Sequence, residues 1–413
     1  MRTPLLLANA IFLLGSTASA QIFNQKADLP EPRYRAFSFA ADGKLFTGCG
    51  RDDGNVMNNA LWQYDPVTDQ WTQKADYPTD PARGGIAMVI DGVPYARSGW
   101  NGVSTFTDWN RYDVATDSWV LMNEPTGDPG AYAGVFTLNG KGYAACGSGA
   151  VAEHNELWSY DPLADTWAQN ADFPGDPRDF PFADTAGGFA FVGLGDFFLA
   201  PPFYSDMYKY DPVADSWTSI APIPVSSTGA IAEGGCSFHA SYNGKIILMN
   251  IMGINSGDAA DFATVYVYDP IADTWTLFES TNPLEIRETP VIGQIGSKVY
   301  FGAGADAEGV VHQDLWEVDL AALFTGLNEA QPGMNDVRVV AAGYMIHVSM
   351  PAVVVNGAAA TLQLYDMEGK NVGAYPLSSK SSIDASGMSG GAYVYTISSR
   401  DRVWRSGKVI IEQ

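Results

Sequence analysis

Apolar stretches in this chain are short and β-rich, with turn residues between them, and they recur in a fixed order. In the first clear unit, an apolar stretch (Ala36–Ala40) meets a turn at Asp42-Gly43. A second stretch (Lys44–Gly50) ends in glycine, a variable loop follows (Arg51–Ala60), and the unit closes at Leu61–Trp71. The closing segment recurs as LWQYDPVTDQW (61–71), WNRYDVATDSW (109–119), LWSYDPLADTW (157–167), MYKYDPVADSW (207–217) and VYVYDPIADTW (265–275). Its tryptophans are spaced by 48, 48, 50 and 58 residues. A period near 50 predicts stacked supersecondary units. Four meandering strands per unit, here named a to d, fit the order of parts. A radial ring of such sheets leaves only short, protected edges.

Each closing segment reads as a hairpin between strands c and d. Proline suits the second position of a type I turn, and aspartate bonds back to the turn backbone. A sixth unit begins as LWEVDL (315–320), but no tryptophan follows Val318 at the usual place. At the other end, QIFNQKADLP (21–30) matches QWTQKADYP (70–78), and Phe23 lies 48 residues before Trp71. The N-terminal segment is therefore expected to supply the outer strand of the last sheet. The expected fold is all-β, with six blades over 21–324.

The repeated Tyr-Asp-Pro, the closing tryptophan, strands ending Gly-x-Gly (Gly48, Gly50; Gly193, Gly195; Gly302, Gly304) and arginines ahead of strand a resemble Kelch repeats. The resemblance implies a six-bladed Kelch-type β-propeller. It departs from the pattern in lacking adjacent double glycines and the last tryptophan. One propeller fold hosts unrelated activities, so the resemblance leaves function open.

After a polar linker (325–336), short alternating runs over 337–413 predict a small β-sandwich. Its segments LQLYDMEGKNV (362–372), SGMSGGAYVYTI (386–397) and SGKVIIEQ (406–413) resemble the type A C-terminal sorting domain of the type IX secretion system. That resemblance implies a Bacteroidota-type bacterium, recognition by the secretion machinery and export across the outer membrane. The start of the chain agrees. Arg2, the apolar run Leu5–Leu14 and Ala18-Ser19-Ala20 read as a signal peptide over 1–20. The run is too short to span a bilayer, which takes about 20 residues. A secreted or outer-surface destination is expected, with no membrane span.

Charge and chemistry narrow the picture further. With 23 basic and 47 acidic residues the net charge is −24, which makes nucleic acid and anionic membranes poor partners. Eleven aspartates fall at c–d turns and predict a negative underside. Of three cysteines, Cys49 and Cys146 occupy equivalent positions two units apart, too distant for a disulfide, and are expected to be buried and free. Four histidines, no regular calcium loop and no phosphate-cradling glycine loop leave no cofactor or metal to expect.

The variable b–c loops share one face, the default place for binding residues. Arg33, Arg83, Arg178 and Arg287 precede strand a and suit carboxylate recognition. Either they converge near the axis or each pairs within its own blade. Arg33, Arg178 and Arg287 each lie 10 residues before a turn residue (Gly43, Gly188, Ser297), whereas Arg83 lies 9 before Gly92. Trp100, His154, Phe198, Tyr204 and His312 lie on the same loop face and suit a glycan. The leading expectation is a surface-delivered module that binds a glycan or protein. The alternative is a sugar-acid isomerase, because the architecture is similar to secreted N-acetylneuraminate epimerases. Arginines would then hold the carboxylate, and Glu233 or Glu288 would move protons.

Overall fold

The computed structural model describes residues 22–324 and 338–411. Within these spans it leaves out 126, 128–129, 150–151, 198–199, 225–231, 252–263, 280–286, 307, 343–344, 350–359, 367–369, 379 and 400–401. The signal-peptide segment, the linker and Phe198 lie outside the described residues. The chain divides into two compact units, 1–324 and 325–413.

The first unit is a β-propeller of six four-stranded antiparallel sheets. Blade 1 holds Phe37–Ala41, Lys44–Gly48, Leu61–Asp65 and Gln70–Lys74, ordered a to d. Blades 2 to 5 start their a strands at Arg83, Gly134, Phe182 and Cys236. Blade 6 takes strands a to c from Val291–Ile295, Lys298–Gly302 and Leu315–Asp319, and strand d from Phe23–Lys26. The a strands are innermost and bond across blades. Ser38 Oγ donates to Ile292 O at 2.8 Å, and Gln294 Nε2 donates to Ser241 O at 2.8 Å.

The recurrent closing segment works as a clamp between blades. The first aspartate accepts from the turn: Val67 N–H to Asp65 at 2.8 Å is one of five such bonds. The second aspartate sits in the left-handed region, with φ of 46–54°. It accepts the hydroxyl of the tyrosine that opens the segment, as from Tyr64 to Asp69 at 2.6 Å. It also accepts a backbone N–H from the preceding blade, as from Ala27 to Asp69 at 2.9 Å and from Ala75 to Asp117 at 2.8 Å. The tryptophan indole then donates to the carbonyl of that same residue: Trp71 to Ala27 at 2.9 Å and Trp119 to Ala75 at 3.0 Å. All five copies repeat this. The tryptophans are half-buried, so they bring directed hydrogen bonds as well as apolar cover.

Phe23 pairs with Val318 as Trp71 pairs with Tyr64, which puts it in the tryptophan position of blade 6. Lys26 brings its ammonium to Glu317 at 3.5 Å, a buried carboxylate that also meets Lys298 at 2.6 Å and Tyr300 at 3.0 Å. Cys49 and Cys146 are buried free thiols, and burial pushes Cys146 up to about 12.

The second unit pairs Arg338–Ala342, Met345–Ser349 and Lys380–Asp384 in one sheet. Asn371–Leu377, Ala360–Tyr365, Gly391–Ser399 and Arg402–Ile411 form another. Ile346, Val348, Leu362, Leu364, Tyr395 and Ile397 belong to its buried core.

Candidate functional site at the propeller mouth

Every blade enters strand a through a tripeptide, and the third residue has positive φ in all six. These residues are Arg35 (57°), Gly84 (74°), Tyr132 (58°), Phe180 (51°), Gly234 (85°) and Thr289 (45°). Glycine adopts this region freely, whereas other residues are held there at roughly 1–2 kcal/mol each. The backbone explains the requirement. Gly84 N–H donates to Arg35 O at 2.7 Å, Tyr132 N–H to Gly84 O at 3.0 Å and Phe180 N–H to Tyr132 O at 3.1 Å. Arg35 N–H donates to Thr289 Oγ1 at 3.0 Å. The turns thus link blade 6 to blade 4 around the mouth.

Four of the six positions carry side chains, and all four line one 180 Å³ cavity with Glu288, Arg287 and Asp196. The glycines fall in blades 2 and 5, which face each other across a ring of six. The other four include an aromatic pair with the Arg35 guanidinium over both rings, at 5.3 and 5.9 Å. Tyr132 and Phe180 form an aromatic wall with ring centroids 4.7 Å apart. Arg35 and Thr289 add polar groups beside them. Gly84 is required twice over, since a Cβ there would run into the Tyr132 ring as well as strain the backbone.

Arg35 Nη2 meets Glu288 Oε1 at 2.8 Å, and Nη1 reaches the Tyr132 hydroxyl at 3.5 Å. Its Nε is buried with no acceptor, leaving donor capacity unused. Tyr34 donates its hydroxyl to the same Glu288 oxygen. Burial works against the Arg35 charge, but Tyr132, Tyr34 and Glu288 outweigh it and raise its pKa. Asp179 is fully buried, accepts from Ser148 Oγ at 2.6 Å and pairs its backbone with Asp196. Burial raises its carboxyl to about 7; Ser148 and Arg35 oppose the rise, while Glu153 and Asp196 add to it. The mouth therefore combines a guanidinium, carboxylate acceptors, an aromatic face and an acid that titrates near neutrality.

Along the a strands lies a second cavity of 250 Å³, where His239 Nδ1 stands 3.3 Å from Asp184 Oδ2. Among the described residues, no group of three or more His, Cys, Asp or Glu is placed to hold a metal ion.

The four arginines chosen from sequence do not share one pocket. Arg33 is fully buried and spends its guanidinium on Glu31, Asn58 and the Cys49 carbonyl. Arg178 is fully buried against Asp206 at 2.6 Å and Leu194 O at 2.9 Å, sandwiched by Tyr204 and Phe173 rings. Both hold their own b–c loops. Arg287 meets Asp314 at 3.4 Å and borders the cavity. Arg83 belongs to a different register. It is the second residue of its tripeptide, equivalent to Tyr34, Asp179, Glu233 and Glu288, and it stacks on Trp100 at 4.7 Å. Tyr204 packs under Arg178 at 4.0 Å, His154 donates its backbone N–H to Gly147 O, and His312 binds Asp306 at 2.7 Å.

Arg35, Tyr132, Phe180, Asp179 and Thr289 were absent from the sequence-based set. The signal that finds them is Gly84 and Gly234. Aligning the entry tripeptides on these glycines moves Arg83 by one residue and exposes the four non-glycine positions.

Residues 344–412 match the family described as secretion system C-terminal sorting domain. This type IX sorting tail indicates interaction with the secretion machinery and delivery to the cell surface or medium. Among the described residues no helix is long and apolar enough to cross a membrane. No curated protein matches the chain. Among solved structures, one titled "Structure of YjhT" aligns with TM-score 0.54 at 16% identity, covering 70% of this chain and 95% of that one. With 549 solved chains matching, the likeness is to a widespread architecture and establishes the propeller fold alone.

Proposed function

We propose that the exported propeller binds a carboxylate-bearing sugar in the axial cavity at its mouth. The observation that supports this reading is Arg35, held at positive φ in the cavity wall with its guanidinium over the Tyr132 ring at 5.3 Å and the Phe180 ring at 5.9 Å. An apolar sugar face packs on aromatic rings. Sugar hydroxyls need acceptors, which Glu288 and Asp196 supply. The acid group needs a charged fork, which Arg35 supplies. A neutral glycan would make no use of the Arg35 charge beyond its ion pair with Glu288, and a flat protein surface would not enter a 180 Å³ cavity.

The test is calorimetric titration with N-acetylneuraminate, galacturonate and their uncharged counterparts. Arg35→Gln is expected to weaken acid-sugar binding by about tenfold to a hundredfold, the worth of a charge-assisted hydrogen bond. Unaltered affinity would defeat the reading.

One observation favours a catalytic extension. An acid near pKa 7, Asp179, lies beside cavity-lining Phe180 and Asp196, and Glu288 is already within the cavity. Groups poised near the working pH suit proton transfer between sugar oxygens. Proton NMR of N-acetylneuraminate anomer exchange decides this point. An unchanged exchange rate with protein present leaves binding alone.

A further inference from the structure

Beside the axial cavity, the rim between blades 1 and 2 carries two more arginines. Arg51 bridges its backbone to Tyr34 and Met57, and its guanidinium lies over the Tyr34 ring at 4.6 Å. Arg35 approaches the same ring at 4.8 Å. Arg83 pairs its backbone with Trp100 and stacks its guanidinium on that indole at 4.7 Å. The next residue, Gly84, donates to Arg35 O at 2.7 Å, so the two blades join at this point.

The rim arginines differ from those that hold loops. Arg33, Arg178 and Arg287 each have a carboxylate partner. Among the described residues, no carboxylate stands within ion-pair distance of Arg51 or Arg83. Arg51 donates to the neutral Asn55 amide oxygen at 2.7 Å. Both Nε atoms are buried without an acceptor. Both side chains are half-buried, so the guanidinium edges remain reachable. Burial lowers the Arg83 pKa, and proximity to Arg35 and Arg51 lowers it further. In a chain with 47 acidic and 23 basic residues, bringing Arg83 close to Arg35 and Arg51 is costly in like-charge repulsion. An anion relieves that repulsion, and stacking on aromatic rings fixes the guanidinium planes for it.

We propose that Arg51 and Arg83 form a second acid subsite next to the axial cavity, and that the ligand is an acidic oligosaccharide with at least two anionic groups. This rests on the reading of the axial cavity, where Arg35 takes the first acid group. The second group is a carboxylate or a sulfate ester, since both present the coplanar oxygens that a guanidinium fork binds.

The test uses the full chain and isothermal titration with four probes: N-acetylneuraminate, galacturonate, trigalacturonate and a sulfated trisaccharide. Wild-type protein is expected to bind at least one trimer ten or more times tighter than galacturonate, and which trimer gains distinguishes carboxylate from sulfate. The double variant Arg51→Gln, Arg83→Gln is expected to lose that gain and keep its galacturonate affinity. Arg35→Gln weakens all probes. Equal affinity of wild type for monomer and both trimers overturns the second subsite and leaves the cavity reading standing. A gain that survives in the double variant overturns it as well. Failure of every probe to bind, N-acetylneuraminate included, overturns both. Thermal melts of each variant establish that folding is intact.

Discussion

At the scale of single residues, the mouth is built from conflicts between backbone and side chain. Arg35, Tyr132, Phe180 and Thr289 hold a left-handed backbone that glycine holds at the equivalent positions 84 and 234. Strain of this kind clusters where side-chain placement matters. Gly84→Ala is expected to lower stability by about 1–3 kcal/mol and to displace Tyr132, since its Cβ would enter the Tyr132 ring. Denaturant unfolding together with sugar titration checks both effects. Asp179 carries a second conflict. Its folded pKa is raised to about 7, above the ordinary carboxylate value. Its contribution to stability is therefore fully present below about pH 4 and is lost as pH rises through about 7. Asp179→Asn is expected to stabilise the protein at about pH 8, by up to roughly 4 kcal/mol, and to change little at about pH 4. Melting curves at the two pH values decide it. A larger stabilising effect at low pH would contradict the raised pKa.

At the scale of elements, the c–d segment is a joint between blades rather than a binding feature. Asp117 accepts from Tyr112 at 2.7 Å and from the Ala75 N–H at 2.8 Å, and its pKa is lowered: burial opposes, but these bonds and Lys74 win. Asp117→Ala is expected to cost about 1–3 kcal/mol by stranding a backbone N–H and a tyrosine hydroxyl. Because the depressed carboxylate stabilises only above its unfolded pKa, that cost fades as pH falls below about 4. Urea unfolding at neutral and acid pH measures it. These joints were legible in sequence because turn chemistry is local: Tyr, Asp, Pro and Trp recur at fixed offsets, and Phe23 falls on the same period. The entry tripeptides were not, because their roles depend on φ and on a bond to the next blade. Arg33 and Arg83 look alike in sequence and differ by one register position in space. Likewise, sequence left Arg33 and Arg178 open between a shared pocket and their own blades, and burial with Glu31 and Asp206 commits them to their own loops.

At the scale of the whole molecule, a ring joins distant parts of the chain. Phe23–Lys26 pairs with Leu315–Asp319, so closure brings the N-terminal strand against the last blade. Phe23 is buried in the place a tryptophan takes elsewhere. Phe23→Ala is expected to cost about 3–5 kcal/mol, and hydrogen exchange is expected to rise first along blade 6. Exchange rising equally in all blades would contradict a local closure. The sorting unit folds around its own core, which suits a module read by the secretion machinery. Arg51 and Arg83 lie at one rim of the mouth without a carboxylate partner among the described residues, so affinity for acidic sugars is expected to fall with added salt.

We propose that Arg35 holds the acid group of a sugar in the axial cavity. Titrating wild type and Arg35→Gln with N-acetylneuraminate and galacturonate at about pH 6 and about pH 8 tests it most directly. Wild type is expected to bind and to weaken several-fold at the higher pH, as Asp179 ionises through about 7, and the variant is expected to lose most affinity. Equal binding of acid and neutral sugars, or full affinity in Arg35→Gln, would contradict it.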